Sequence, residues 1–330
     1  GDDNTFIGYA SGDATTTAGG NTAVGSSAFS TNTTGADNVA IGEAALLSNT
    51  TAANNTAVGN NALRSTTTGA SNVAVGSGAG YQNITGAGNI GIGLNALFSN
   101  TGSSLNVAIG VGALDAFNVS SGNGYNVAVG DQAGGALTTG VQNTLLGALA
   151  GDALTDADFN TAIGVEALSS DIKGSLNVAI GRRALTSQSF TSATNSYNTA
   201  VGADAGLSVT TGIRNTLIGG LSGDAITTAN FNTAVGYNSL GLTTTGTLNV
   251  AVGDNALTSN TTGASNTAVG QNSLGANTTA ANNTAVGHSS LETNTTGASN
   301  TAVGQSALLA NTTGRDNTAL GFSAGVTNTT

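Results

Sequence analysis

The chain has 330 residues, of which 7% are charged; its net charge is −11, and it has fifty glycines and no proline, cysteine, methionine or tryptophan. Without cysteine there are no disulfides and no thiolate metal sites, and six basic residues cannot build the positive face that nucleic acid or an anionic membrane surface needs. No apolar run reaches bilayer-spanning length, the glycines lack a Gly-X-Y period, and regularly spaced aliphatic residues argue against disorder despite the abundance of Asn, Thr and Ser.

In chain order, one unit recurs from end to end. After Gly1-Asp2-Asp3 comes Asn4-Thr5-Phe6-Ile7-Gly8, and the same Asn-x-x-aliphatic-Gly pattern returns at Asn21, Asn38, Asn55 and Asn72. Nineteen copies run to Asn317, and sixteen of the eighteen spacings are 17 residues; the other two, 106 to 126 and 177 to 198, are 20 and 21. With the Asn as position 1, position 4 is always Val, Ile or Leu, position 5 always Gly, and position 8 always Ala or Ser. Asn21, Val24, Gly25 and Ala28 in an early copy, and Asn266, Val269 and Gly270 in a late one, exemplify these structural columns. Position 6 is free, holding Tyr9, Glu43, Arg182, Asp254 or His288.

Seventeen residues are too few for a helical pair, and no 3.6 period runs through them. The β-branched run ending in Gly predicts a short strand, and Asn-Thr-Thr-Gly predicts a turn. Each coil is therefore expected to be strand, glycine corner, second short strand and turn. Stacked coils make an all-β parallel β-solenoid, a β-roll of about nineteen 17-residue coils forming a single repeat domain over 1–330, with a length on the order of 90 Å at ~4.8 Å per coil. The repeated Asn either forms an amide ladder along the stack or bonds its own turn.

Strand alternation places positions 2 and 4 on one face and position 3, Ala in fifteen copies, on the other. Both faces lack charge, so both should be covered: one by the coil itself, the other by another subunit. Where position 3 is large, position 9 is Gly: Phe6 with Gly12, Leu145 with Gly151, Leu217 with Gly223. That exchange of volume suggests one packed layer.

The central region, 89–248, carries a second repetition of four coils, with enlarged loops at 114–125 and 185–197. Before the coil Asn it turns apolar, at Leu105, Tyr125, Phe159, Leu176, Tyr197, Phe231 and Leu248, where the flanks have residues such as Asp37, Asn54, Ser265 and Asp316. Phe117, Tyr125, Phe190 and Tyr197 either form a lateral contact or pack beneath their own loops.

Asn38-Val39-Ala40-Ile41-Gly42-Glu43-Ala44-Ala45, Asn106-Val107-Ala108-Ile109-Gly110 and Asn177-Val178-Ala179-Ile180-Gly181 resemble the Ala-Ile-Gly-x-x-Ala units of YadA-like head domains in trimeric autotransporter adhesins; related repeats occur in phage-type fibres. The resemblance covers nearly the whole chain and implies a left-handed parallel β-roll, three of which pack into a cell-surface trimer. The coil here is longer than the usual head repeat, and no ligand-binding residue carries over.

At the ends, Asn328-Thr329-Thr330 followed by Gly1-Asp2-Asp3 completes one coil in phase. Two expectations follow: head-to-tail stacking across these six residues into an open filament, or an in-phase excerpt of a longer chain. The missing initiator Met and secretion signal agree with a mature or excised segment.

Little catalytic chemistry is visible. His288 is the only histidine and sits at the free position, and no nucleophile or metal-ligand spacing accompanies it. No cofactor or metal is expected. Asn32, Asn49, Asn260, Asn277, Asn294 and Asn311 open Asn-x-Thr glycan acceptor sequences, but are turn residues first. The expectation is a non-enzymatic extracellular fibre protein whose partner is itself. The alternatives are a trimeric adhesin head binding a host or matrix ligand and, less favoured, an ice-binding solenoid.

Overall fold

The computed structural model describes residues 1–329; of the expected assembly residues, Thr330 lies outside them. The chain divides into two compact units, Gly1–Val165 and Glu166–Thr330. Every coil of both units carries one three-residue parallel strand at positions 2–4. The first unit contains ten, from Thr5–Ile7 to Thr161–Ile163, and the second nine, from Val178–Ile180 to Thr318–Leu320. The chain is thus a parallel β-solenoid, all-β among the described residues.

Register follows the repeat. Thr5 faces Thr22, Thr22 faces Val39, and so on through the first unit; in the second, Thr199 faces Thr216 and Thr216 faces Thr233. The long spacings leave this register intact: Val107 pairs with Val127 across the first enlarged loop, and Val178 with Thr199 across the second. The extra residues leave the stack as loops. The second loop pairs Thr194–Asn195 with Gly174–Ser175.

Apart from the two-residue pair Gly174–Ser175 and Thr194–Asn195, the expected second strand of each coil is absent among the described residues. Three left-handed residues per coil replace it, at positions 7, 9 and 17: in the coil of Asn55 they are Asn61, Leu63 and Ser71, with φ of 58°, 49° and 59°. Alternating left-handed residues cannot extend as a strand, so this part of the coil turns twice instead. Backbone bonding between coils continues across the turns. The Leu63 amide donates to Ala79 O (2.9 Å), and the Asn61 amide donates to Glu43 O (2.9 Å).

A left-handed Leu costs about 1 kcal/mol. At position 9 burial offsets it: Leu46, Leu97, Leu168 and Leu257 are at most 1% exposed. With Ala at positions 3 and 8 they form the thin core. Gly at position 5 is required twice over. At Gly59 φ is +139°, and a Cβ would stand 2.5 Å from the carbonyl oxygen of Gly76 in the next coil.

Positions 3 and 9 do share one layer, and it lies within the chain. A Cβ on Gly151 would meet Leu145 Cδ2 at 2.9 Å, and one on Gly223 would meet Leu217 Cδ2 at 2.8 Å. Gly134 and Gly206, which keep Ala at their own position 3, are explained by the following coil. Cβ atoms there would meet the Cδ1 atoms of Leu145 (2.7 Å) and Leu217 (2.8 Å). One leucine thus spares volume in two coils.

Candidate interaction face

The position-1 asparagines do both things expected of them. The Asn38 side-chain Oδ1 accepts from the Asn55 amide (2.9 Å), while Asn38 Nδ2 donates to Asn21 Oδ1 (3.2 Å) and to Ala52 O in its own turn (2.9 Å). In the second unit Asn266 Nδ2 donates to Ala280 O (2.8 Å), and its Oδ1 accepts from the Asn283 amide (3.0 Å). Sequence reasoning missed a second ladder, at position 12. Asn49 Nδ2 donates to Asn32 Oδ1 (3.2 Å), and Asn294 Nδ2 to Asn277 Oδ1 (3.1 Å). These are the acceptor sequences noted above, and the period-17 recurrence of the same Asn was the available signal. Their amides are buried and engaged, so the folded chain offers no glycan attachment at Asn32, Asn49, Asn260, Asn277, Asn294 or Asn311.

In the central coils position 12 changes content. Phe117, Leu137 and Leu154 fill it in the first unit, Val209 and Ile226 in the second, all fully buried. Between these runs stand Asp171 and Gln188, also buried. Asp171 accepts from Gln188 Nε2 (2.6 Å) and from the Phe190 amide (2.9 Å), and Gln188 Oε1 accepts from Asn198 Nδ2 (2.8 Å). A carboxylate and two amides thus anchor the base of the second enlarged loop.

The four loop aromatics separate into two pairs. Phe117 is fully buried and Phe190 is 7% exposed, so these two pack beneath their own loops. Tyr125 and Tyr197 are half-exposed, and Tyr125 accepts a hydrogen bond from Asn123 Nδ2 (2.8 Å). At the termini, the Gly20 amide donates to Asp2 O (3.1 Å), Asp3 has φ 61°, and Thr329 O accepts from Thr312. Gly1 donates to Thr16 O (3.3 Å), and the Asn328 amide donates to Gly325 O (3.0 Å), so both ends keep the coil pattern.

The surface feature that recurs in every coil is the outer strand face. Position 3 points inward and is fully buried in coil after coil, as at Ala23, Ala108, Ala200 and Ala285. Positions 2 and 4 point outward, and in neither unit is any of them buried. The position-4 column, Val24, Ile41, Val58, Val75 and so on, is aliphatic in every copy, yet its own chain leaves Ile41, Ile92 and Ile218 between 37% and 40% exposed. At ~4.8 Å per coil and ~10 Å across three residues, each unit presents on the order of 500 Å² of uncharged Thr, Val, Ile and Leu. The largest apolar patch of an ordinary monomer reaches this order of size and is often functional.

Charged chemistry lies elsewhere and is dispersed. His288 is exposed. Arg182 pairs with Asp204 at 2.5 Å. Burial raises the Asp115 carboxyl above its ordinary value; Asp224 is raised first by burial and further by the charge of Asp204. Among the described residues no group of three His, Cys, Asp or Glu could hold a metal ion. No helix among them is long and apolar enough to cross a membrane.

No family model matches the chain, and no curated protein is significantly similar to it.

Proposed function

We propose that this chain is a non-enzymatic structural element of an extracellular fibre, and that its copies associate through the outer strand face. One observation carries the reading: position 4 is aliphatic in all nineteen coils although the chain itself leaves every one of them partly exposed. A column kept apolar while its members stay only partly covered is accounted for by burial in an assembly. The partner must present side chains at the coil spacing along the whole face, and a second copy of the chain does so by construction. The composition suits an exposed setting, because it holds no oxidisable sulfur and few charges.

Two forms of assembly fit this role. In the lateral form two or three copies bury the strand faces against one another, the arrangement that the resemblance to trimeric adhesin heads implies. There the solvent-facing stretch Thr191–Ala193 of the second enlarged loop is the natural place for a host or matrix ligand. In the axial form the edge of one coil templates the next, since within each unit the coils pair with their neighbours in the same register. Sedimentation of the purified chain separates them. A discrete mass of two or three times 31.6 kDa is expected for lateral packing, and open-ended growth into filaments by electron microscopy for axial stacking. Val201→Lys with Val235→Lys should return the lateral form to monomer with its fold intact, because both side chains face outward. A wild-type chain that remains monomeric at high micromolar concentration overturns the proposal.

A further inference from the structure

The strand face has a defect as an interface: it repeats. Position 4 is Val, Ile or Leu and position 2 is Thr, Val or Ile in every coil. A second copy that slides by one coil, ~4.8 Å, meets nearly the same surface again. A face without distinctive positions specifies register weakly.

The residue just before each coil Asn, which is position 17 of an ordinary coil and the last residue of the two long ones, supplies the distinction and is written as position 17 for all of them. It is left-handed before every coil Asn from Asn4 to Asn317. The flanking coils fill it with Asp, Gly, Asn or Ser, as at Asp37, Asn54, Gly88, Ser265 and Asn282, residue types that accept this conformation. The central coils instead place Leu105, Tyr125 and Phe159 there in the first unit, and Tyr197, Phe231 and Leu248 in the second, with φ between 50° and 62°. Bulky side chains are strained in this region. At position 9 core burial compensates the strain; at position 17 it does not. Leu105, Phe159 and Phe231 are 45–49% exposed, Tyr125 and Tyr197 about half, and Leu248 56%. Neither backbone preference nor burial in their own chain accounts for them.

Their order is also informative. Positions 105, 125, 142, 159 and 176 read Leu-Tyr-Gln-Phe-Leu, and 176, 197, 214, 231 and 248 read Leu-Tyr-Arg-Phe-Leu. The pattern is uneven along the stack, so a one-coil slip sets Tyr where Gln or Arg stood. Position 17 comes two residues before the first outward strand residue of the next coil, at the edge of the strand face. The side chains are also held in place. Leu105 lies over Gly88, where a Cβ would stand 2.9 Å from its Cδ2, and the Arg214 guanidinium sits 5.5 Å from the centre of the Phe231 ring.

We propose that the bulky left-handed residues at position 17 of the central coils, Tyr125 and Phe159 in one unit and Tyr197 and Phe231 in the other, fix the axial register at which a second copy of this chain packs along the strand face. The proposal rests on the lateral form of the function given above. The repetitive face supplies area, and the uneven edge selects one alignment among many near-equal ones. Register devices of this kind trade local stability for a single arrangement.

The test uses the full chain with one spin label at His288→Cys, an exposed site in a chain without other cysteines. Pulsed dipolar spectroscopy of the assembly should give one narrow label-to-label distance. The variant Tyr125→Ser, Phe159→Asn, Tyr197→Ser, Phe231→Asn places at each site a residue that the flanking coils already use there. Its melting temperature should be unchanged or higher and its assembled mass the same, while the distance distribution splits into several peaks at coil-sized steps. A variant that keeps the single narrow distance overturns the register role, and so does one that becomes monomeric, since these residues would then supply affinity. A monomeric wild type overturns the lateral reading itself, which separates the two failures. If the fourfold variant melts early, Tyr197→Ser with Phe231→Asn in one unit alone is expected to show the same broadening.

Discussion

In a flanking coil, the one beginning at Asn266, the inner turn holds Asn277; in a central coil, the one beginning at Asn126, the same position holds Leu137. Asn277 Nδ2 donates to Asn260 Oδ1 (3.0 Å) and to Ala280 O (3.1 Å). Leu137 makes no such bonds and is fully buried. Yet both coils carry the same strand, the same glycine at position 5 and the same left-handed corners. The coil backbone is therefore a frame that takes either an amide ladder or hydrocarbon at its inner corner. What the two regions share should be costly to alter in both, and what they do not share should fail only when it is moved.

The largest effect is expected at the shared glycine. Gly59→Ala in a flank and Gly219→Ala in the centre each add a Cβ 2.4–2.5 Å from the next coil's carbonyl oxygen, at φ of +132° to +139°. Both should lose about 4 kcal/mol or more, as backbone strain and a backbone clash act together. Urea unfolding of the two variants checks this, and a central coil that tolerates its alanine breaks the idea of a common frame.

Next come the exchanges. Asn277→Leu removes two donor bonds and leaves Asn294 Nδ2 without its Oδ1 partner, so a loss of about 3 kcal/mol is expected. Leu137→Asn buries an amide among apolar neighbours and gives up hydrocarbon burial, for a loss of similar size, about 3 kcal/mol. Neutral behaviour of either would mean that each coil chooses its filling independently of its neighbours. Amide exchange at the coils on either side should show the damage spreading by one coil, because stability in a stack is nearest-neighbour.

The comparison sharpens at Leu145. Leu145→Ala should cost about 3 kcal/mol through the cavity it leaves. Gly151→Leu alone overfills the same layer. The double variant should recover about 1–2 kcal/mol relative to the sum of the two singles, since each relieves the other. Additivity would show that the two sites do not share volume.

This exchange was readable beforehand because it was written three times, at Phe6, Leu145 and Leu217. Strand position, register and the separation of position 3 from positions 2 and 4 were readable for the same reason: period 2 inside period 17 leaves one solution. The second strand was expected and is missing from all the coils but those of Asn160 and Asn177, and it was misread because the left-handed corners that replace it carry little residue signature. Leu63 and Asn61 both take that conformation, and leucine is a residue one would not place there. The loop aromatics divide because Phe117 fills the inner turn and Phe190 is tied to it through Asp171, whereas Tyr125 and Tyr197 stand at the left-handed residue before the coil Asn. Alternation separated positions 2 and 4 from position 3, but which of the two faces turns outward depends on how the coil closes, which the period does not state.

The smallest effect concerns charge, and it again distinguishes the regions, because Asp224 lies in a central coil beside Asp204. Burial and that neighbouring charge raise the Asp224 carboxyl above its ordinary 3.8, and its Oδ1 is buried without a hydrogen-bond partner. A raised value in the folded state means that the folded chain holds this proton more tightly than the unfolded chain does. The group's favourable contribution is therefore complete below the unfolded value and is lost as pH climbs through the folded one. At neutral pH the ionised Asp224 should be a small net cost. Asp224→Asn is expected to raise the melting temperature slightly at pH 7, and the gain should vanish when both proteins are melted below pH 3.8. A gain that persists unchanged in acid would trace to the shape of the amide, and a loss at pH 7 would mean that the carboxylate has a partner the folded coil depends on.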